Sequence, residues 1–459
     1  MQQPALVTGA HAPFLPTRVL SVDIDAPLPS ALDEVARDGV AYERASVLVR
    51  VHSQPVGLVA FDLSQGTFSR ERLAEAIDTA LGDRIRRHLA ADGLPVAWRS
   101  TAEARETEND RQPAALLPRC LAARAAALQD APSVTVVIPS VDRPEALRAC
   151  LEAVLAQSLP AFEIVVVDNA PGESGAKQVV DLLDPGSRTL RYEPESRRGA
   201  SRARNRGLAA ASGGIVAFID GDARPDRDWL AAVVATMAAP LEGGQLPTCV
   251  TGPILPDDLA SAPQQWLEEW GGFAKGFERR VFDRRKHTTG SPLYPFAAGT
   301  FGSGANMTFR ASALRRLGAF DVALGPGTPA RGGEDLAAFV EVVTSGGTIV
   351  YEPAAIVWHR HHETEGQFRA TIRAYGTGLV AYLTRHASRH PADGLRMAFA
   401  MPAALAYFFR SGSPRNRGRS ARFPSGLWRD EVAGMLQGPF AYALGRAAAR
   451  GSRRSGARR

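Results

Sequence analysis

Lysine is almost missing from this 459-residue chain. It occurs only at Lys177, Lys275 and Lys286, so nearly all of the 54 basic residues are arginine. The formal net charge is +6, and the arginines crowd into the stretch from Ser411 to Arg459. They are not interleaved with aromatics along one face, so no nucleic-acid partner is expected. Cysteine is equally scarce, and Cys120, Cys150 and Cys249 lie far apart. With no CxxC and no closely spaced Cys/His pair, neither a structural zinc site nor a disulfide framework is expected. A reducing cytoplasm is the simplest compartment. The chain also lacks a long apolar run. The longest, Leu395 to Phe409, is broken by Arg396 and Pro402 and falls short of the roughly 20 residues that span a bilayer. Met1 to Pro16 shows no basic stretch leading into an apolar segment, so no signal peptide is expected. Nothing repeats at a fixed period.

What is present is ample material for a core. The length implies two or three folded units rather than one. Residues 17–95 form a small α/β unit of unassigned role: Ser46–Val51 and Pro55–Phe61 alternate as strands. Leu73, Ile77, Leu81, Ile85 and Leu89 mark a helix over Arg70 to Leu89. Residues 96–131 form a linker, charged from Ala97 to Arg111, followed by an Ala/Leu-rich helix from Pro113 to Gln129. Residues 132–362 alternate strand and helix signals. Val134–Ile138, Glu163–Val167 and Ile215–Ile219 are β-branched apolar runs, Leu190–Tyr192 a shorter one, and Pro144–Gln157 and Ala200–Ala211 are helical. This order implies an α/β fold with a mainly parallel sheet covered by helices on both faces. Residues 363–449 are helical, in three pieces (Glu365–His386, Pro391–Arg410 and Leu427–Ala449), and residues 450–459 are a basic tail.

Carboxylates stand at the strand ends, where such sheets bind ligands. Asp168 closes the second strand and offers an acceptor to a base edge, although an Asp after a strand also caps turns. Asp220-Gly221-Asp222 follows the strand Ile215–Ile219. Its two carboxylates are hard oxygen ligands for Mg2+ or Mn2+, although Asp-Gly is also a common turn. Glu334-Asp335 opens an apolar helix. Acidic residues suit a helix N-terminus in any case, and Asp335 there is also placed to act as a general base. His359 could add a nitrogen ligand suited to Mn2+, and His361 and His362 are expected to be solvated. Arg143, Arg197, Arg198, Arg202 and Arg204 lie near the same sheet edge, where some could hold a diphosphate. The Gly302-Ser303-Gly304 segment allows close backbone approach.

Together, Val-Val-Ile-Pro139-Ser-Val-Asp-Arg143-Pro, Val-Val-Val-Asp168-Asn, Gly199-Ala-Ser-Arg-Ala-Arg204-Asn205 and Ile-Asp220-Gly-Asp222 are similar to family 2 glycosyltransferases of the GT-A fold. Gly304-Ala-Asn306-Met307, Gly318-Ala-Phe-Asp321, Gly333-Glu334-Asp335 and Val-Trp-His359 continue the resemblance, which extends to bacterial cell-envelope transferases of the rhamnosyl and galactofuranosyl type. It implies an inverting, metal-dependent transfer from a nucleotide-diphosphate sugar to a glycan or lipid-linked acceptor. Asp335 would be the base, Asp222 and His359 the ligands of Mn2+ or Mg2+, and Glu334 an acceptor contact. Pro139, Arg143, Asp168, Arg204, Asn205, Asp220 and Asn306 would line the donor site. Two positions depart from the family: Val141 stands where an aromatic residue is frequent, and Ala337 where a second acidic residue is frequent.

The C-terminal aromatics and arginines suit a helix lying at an anionic membrane surface. The expected location is cytoplasmic, with peripheral contact on the inner face of the plasma membrane, although a helical subdomain covering the acceptor side fits equally. A nucleotidyltransferase acting on sugar phosphates, or a non-catalytic binding protein on the same scaffold, would share much of this pattern. The first would carry a Gly-rich basic loop after the first strand, and Pro139-Ser-Val-Asp-Arg143 is not one. The second would have no need of Asp222 and Asp335.

Overall fold

The computed structural model describes residues 14–29, 39, 41–63, 68–94, 117–410, 412–413, 415–416, 419–420 and 422–456. The expected linker from Ala97 to Arg111 lies outside the described residues, as do residues 457–459 of the basic tail.

The N-terminal unit is a three-stranded sheet of β1 (Thr17–Asp23), β2 (Arg44–Val51) and β3 (Gln54–Asp62). β1 and β2 run parallel, while β2 and β3 form a hairpin. Helix α1 (Arg70–Ala91), capped by the Ser69 side chain, lays Leu73, Ile77, Leu81, Ile85 and Leu89 against Val47, Val49 and Phe61. Periodicity predicts this helix because every fourth residue is apolar. β1 escapes prediction because it alternates poorly, with most of its residues only half-buried. α2 (Arg119–Gln129) follows. The β2–β3 turn, the end of α1 and the start of α2 meet, and they bring His52, His88, Asp92 and Cys120 together. Cysteine spacing does not reveal this cluster, because it is assembled by folding and not by local sequence.

The central part begins β4 (Val134–Ser140), α3 (Pro144–Leu155), β5 (Glu163–Asp168), α4 (Ala176–Leu182), β6 (Thr189–Pro194), α5 (Ala200–Ala210), β7 (Ile215–Ile219), β8 (Ala223–Pro225) and α6 (Trp229–Ala238). It continues β9 (Cys249–Thr251), β10 (Ile254–Pro256), α7 (Ala262–Trp270), β11 (Arg280–Phe282), β12 (Asn306–Arg310), α8 (Ala311–Arg316), α9 (Glu334–Thr344), β13 (Ile349–Tyr351) and β14 (Val357–His359). Eight strands form one sheet in the order β11-β13-β9-β12-β7-β4-β5-β6. The β7-β4-β5-β6 half is parallel, and β12 runs antiparallel between β7 and β9. Alternate strand residues face opposite layers. Val137 and Phe218 pack under α5, α8 and α9, whereas Val136, Ile138 and Ala217 pack under α3, α4 and α6. The mainly parallel sheet covered on both faces is therefore as the sequence implies. A second small sheet, β10-β14-β8, stands beside it.

Three helices close the chain: α10 (Glu365–Arg389), α11 (Pro391–Phe409) and α12 (Leu427–Gly456). No described helix is long and apolar enough to cross a membrane. α10 and α12 pack closely through glycines. A methyl group built on Gly434 would lie 2.1 Å from the Arg373 carbonyl oxygen, and one on Gly376 would lie 2.3 Å from that of Glu431. Two effects then compete at Gly434. Helix propensity favours alanine over glycine by about 1 kcal/mol, while overpacking against a backbone atom costs about 1–3 kcal/mol. The contact is with backbone that has no rotamer to change, so the clash should win. Gly434→Ala is expected to lower the thermal midpoint. An unchanged or raised midpoint would show that the helices separate freely.

Candidate active site

The end of β7 delivers Asp220 and Asp222 to the carboxyl edge of the sheet, and the Asp220 carbonyl closes the turn by accepting the Ala223 N–H. The two carboxylates then part company. Asp220 Oδ1 accepts from Arg204 Nη2 at 2.8 Å, whereas Asp222 Oδ2 accepts from Arg143 Nη1 at 2.7 Å. Arg143 is the residue before α3 and is largely exposed. Arg204 is the opposite. It lies on α5 with only 3% of its side chain exposed, and its Nη1 donates to Glu334 Oε1 at 2.5 Å. Its Nη2 also reaches the Gly304 carbonyl at 3.5 Å. The guanidinium therefore ties the end of β7, the start of α9 and the loop before β12 to one point.

Asp335 sits beside this cation without bonding it. Its Oδ2 accepts the Gly304 N–H at 2.7 Å and its Oδ1 accepts the Leu336 N–H at 2.8 Å. Gly304 is tightly enclosed: a Cβ there would lie 3.2 Å from the Asp335 side chain and 3.3 Å from Arg204 Nη2. Burial raises the Asp335 carboxyl above the ordinary range, against the pull of Arg204. Burial, opposed by Arg204 and aided by the neighbouring Asp335 charge, pushes Glu334 up to about 7. Burial would lower Arg204, but Asp220, Glu334 and Asp335 more than offset it and hold the guanidinium firmly charged.

His359 arrives through β14, whose antiparallel register pairs His359 with Ala223, the residue after Asp222. Its Nε2 lies 3.8 Å from Asp222 Oδ1. Its Nδ1 lies 3.5 Å from His361 Nδ1, and His361 Nε2 lies 2.8 Å from Glu268 Oε1 on α7. An ionised carboxylate only accepts, so Glu268 fixes the His361 proton on Nε2. With a neutral His361, its Nδ1 would accept from His359 Nδ1, and the His359 Nε2 lone pair would be turned toward a cation at Asp222. Burial also lowers the His359 pKa, which favours the neutral ring. His361 was expected in solvent. It is fully buried instead, because its work is to orient its neighbour.

The remaining sequence candidates occupy scaffold positions. Asn306 is buried, taking the Trp229 indole N–H on its oxygen and donating to the Pro253 and Ala355 carbonyls. Asn205 exchanges both hydrogen bonds with the Phe320 backbone. Glu334, expected to meet an acceptor, is buried against Arg204. Asn306 and Glu334 are thus buried, and Asn205 is half-buried against the Phe320 backbone. Asp168 is buried too, accepting from Ala170 N, Ser174 Oγ and Tyr192 Oη, so it shapes the loop after β5. Pro139 pairs with Val167 near the end of β4, and its carbonyl would lie 3.1 Å from a Cβ on Gly221. Tyr375 on α10 was missed. Its phenol is raised by burial and, less, by the charges of Asp335 and Asp220, while its ring packs against Trp270 and Phe273. No local signal distinguishes it from other aromatics of a helix.

Residues 135–317 match the family described as glycosyl transferase family 2. That span belongs to the family. The matched span carries Asp168, Asp220 and Asp222 and ends before Asp335 and His359. A pre-mycofactocin glycosyltransferase of Mycobacterium tuberculosis is 28% identical over 285 residues, covering 61% of this chain and 52% of that protein. A glucosyl-dolichyl phosphate glucuronosyltransferase of Haloferax volcanii is 28% identical over 197 residues, 42% of this chain and 56% of that protein. The chain thus spans about half the length of these curated relatives. Among solved structures, a mannosyltransferase from Pyrobaculum calidifontis in complex with GDP-Man and Mn2+ aligns over 80% of this chain and 98% of that one. Its sequence identity is 19% and its TM-score 0.43.

The Arg204 cluster of the family 2 domain makes a stability prediction. Removing one partner of a buried ion pair costs about 3–5 kcal/mol, because the other charge is left unpaired. Arg204→Met is expected to destabilise the chain by that order in urea unfolding, and adding Glu334→Gln should restore part of the loss. A single-variant cost below about 1 kcal/mol, typical of a surface pair, would show that the cation does not hold the cluster together.

Proposed function

We propose that the chain is an inverting glycosyltransferase that moves a sugar from a nucleotide-diphosphate donor to the hydroxyl of a glycan or lipid-linked acceptor. One observation carries the reading. The buried Arg204 joins the Asp220-Gly221-Asp222 turn to Glu334-Asp335, residues more than a hundred positions apart, at the ligand-binding edge of a family 2 domain. A carboxylate in reach of an acceptor, beside a second carboxylate pair that can hold a cation for the diphosphate, is what direct displacement needs.

Asp335 is the base in this scheme. Two backbone N–H groups hold its carboxylate in place, and its raised pKa makes it a better proton acceptor than an ordinary Asp. The acceptor oxygen loses its proton to Asp335 and attacks the anomeric carbon from the face opposite the nucleotide. The bond to the diphosphate breaks, and the configuration inverts. Arg143 is exposed and able to pair with the departing diphosphate. The loop ordered by Asp168 receives the nucleobase of the donor.

Asp222 and His359 fit a divalent cation. Their donor atoms lie 3.8 Å apart, within the span of two ligands each about 2.1 Å from one ion, and an O/N pair suits Mn2+ as well as Mg2+. A bound cation would supply positive charge to the leaving diphosphate. The Pyrobaculum mannosyltransferase is in complex with GDP-Man and Mn2+, and the Haloferax relative is named for a glucosyl-dolichyl phosphate. For this chain the nucleotide sugar, the metal and the lipid-linked acceptor are parts of the proposal.

The two carboxylate sets separate in kinetics. Asp222→Ala is expected to lose metal-dependent donor binding, while Asp335→Asn keeps donor binding and loses transfer by about two to four orders of magnitude. The adjacent Glu334 and Asp335 carboxyls titrate as a pair. The base must be deprotonated and both groups are raised, so the transfer rate should still be climbing with pH above the range of an ordinary Asp, about 4. Full transfer by Asp335→Asn, or a rate already level near pH 5, would remove Asp335 from this role.

We also propose that α11 and α12 meet an anionic membrane surface from the cytoplasmic side. No residue of α11 is buried, and Phe399 on α11 and Phe440 on α12 are 79% and 74% exposed. Arg396 and Arg410 flank the α11 apolar residues and complement anionic lipid. The chain is expected to float with vesicles containing phosphatidylglycerol. The double variant Phe399→Asp/Phe440→Asp should stay at the bottom of the gradient. Equal flotation of the two proteins would exclude this surface.

A further inference from the structure

Four side chains outside the proposed reaction converge within the N-terminal unit. His52 stands in the turn between β2 and β3, His88 and Asp92 at the end of α1, and Cys120 in the first turn of α2. His52 Nδ1 lies 3.3 Å from His88 Nε2 and 3.6 Å from Cys120 Sγ. His88 Nε2 lies 3.8 Å from Cys120 Sγ. Asp92 Oδ2 completes the group, 2.6 Å from His52 Nδ1, 3.1 Å from His88 Nε2 and 2.9 Å from Cys120 Sγ.

Hydrogen bonds alone give a poor account of this packing. One carboxylate oxygen would accept from three donors at once, while two ring nitrogens face each other. A tetrahedral zinc site gives a better one. With Zn–N about 2.0–2.1 Å and Zn–S about 2.3 Å, its N···N edge is about 3.3 Å and its N···S edges about 3.6 Å. The observed edges are 3.3, 3.6 and 3.8 Å; only those to Asp92 are shorter.

We propose that His52, His88, Asp92 and Cys120 bind Zn2+ as a structural site. A thiolate and a carboxylate neutralise the dication, and binding releases the Cys120 proton. Sulfur and imidazole donors select zinc over Mg2+ or Ca2+. Four protein ligands leave no open position for a reacting water, so the site is structural rather than hydrolytic. The outer shell supports the same assignment. Asp25 Oδ2 accepts the His52 backbone N–H at 2.6 Å, and Asp25 Oδ1 lies 3.6 Å from His52 Nε2, the ring nitrogen turned away from the cluster. Asp92 Oδ1 accepts the Cys120 N–H at 2.8 Å, which aims Oδ2 inward. Carboxylates and backbone groups behind the ligands are the usual support of metal-binding histidines. His52 and Ser53 both have positive φ, 53° and 63°, in a two-residue turn that normally takes Asn-Gly. A histidine held in that conformation points to a need for its side chain.

The site would tie the end of α1 to the start of α2, and α2 packs on α6 of the family 2 domain. Arg124 of α2 lies 3.8 Å from Asp228, and Arg50 of β2 forks onto Asp226 at 2.8 and 2.5 Å. Zinc would therefore fix the N-terminal unit against the segment that follows Asp222.

The test uses the full chain, purified through a tag that binds no metal. Elemental analysis is expected to find one zinc per chain. Exchange with Co2+ should give the intense visible bands of a tetrahedral, thiolate-ligated ion. Cys120→Ser should lose the thiolate-to-cobalt band, and Asp222→Ala should keep it, which separates this ion from any cation of the active site. The proposal fails if the wild-type chain holds no stoichiometric zinc and cobalt produces no tetrahedral spectrum. It also fails if the thiolate band survives in Cys120→Ser. Should that variant not fold, the wild-type zinc content and cobalt spectrum decide alone.

Discussion

The site depends on one buried cation. Arg204 is enclosed by Asp220, Glu334 and the Gly304 carbonyl, with Asp335 close behind. A guanidinium is costly to bury unless its planar fork is answered by carboxylates, and here the answering groups come from three separate stretches of chain. Their relative placement is thereby fixed: β7 cannot shift along the sheet, and α9 cannot rotate, without breaking a bond to the same group. The charge count carries a further consequence. Three carboxylates face one guanidinium, so the cluster holds surplus negative charge. A donor diphosphate would be repelled by that surplus. On the reading proposed above, a divalent cation near Asp222 and the exposed Arg143 are what let a diphosphate approach.

The histidines show how orientation can be transmitted. β14 sets His359 beside Asp222 by register alone, but register does not choose which ring nitrogen is free. Glu268 makes that choice from α7, through His361. A buried imidazole pair with a carboxylate at its far end is a stiff arrangement, since each ring has one proton and one lone pair to place. His361 therefore has a reason to be buried that a solvated histidine would lack.

Much of the fold was legible in the sequence because its signals are local. Val134–Ile138, Glu163–Val167 and Ile215–Ile219 are runs of β-branched residues, and strands result because both faces of the sheet are covered. Asp220 and Asp222 were legible as a turn after a strand. Other features depended on distant partners. Asn205 and Asn306 look like pocket residues by type, but Asn205 bonds the Phe320 backbone, and Asn306 bonds the Trp229 indole and two backbone carbonyls. Glu334 and Asp335 are neighbours in sequence with the same charge, yet only the packing of α5 decides that Glu334 bonds Arg204 and Asp335 does not. The His52, His88, Asp92 and Cys120 cluster was hidden for the same reason. Only His88 and Asp92 are close in sequence, at the i, i+4 spacing of one helix face.

The helices after the matched span complete the site rather than decorate it. Gly333, which precedes α9, has φ 87°, and a Cβ there would lie 2.4 Å from the Gly378 carbonyl of α10. α10 therefore presses directly on the residue that introduces Glu334 and Asp335. α12 in turn holds α10 through the glycine contacts at Gly376 and Gly434. The family-matched segment alone would contain Asp220 and Asp222 but neither Asp335 nor His359, and nothing to set the start of α9. The position of the proposed base thus rests on helices whose exposed residues are themselves proposed to meet the membrane. Contact there would bear on α10, and through Gly378 on the N-terminus of α9.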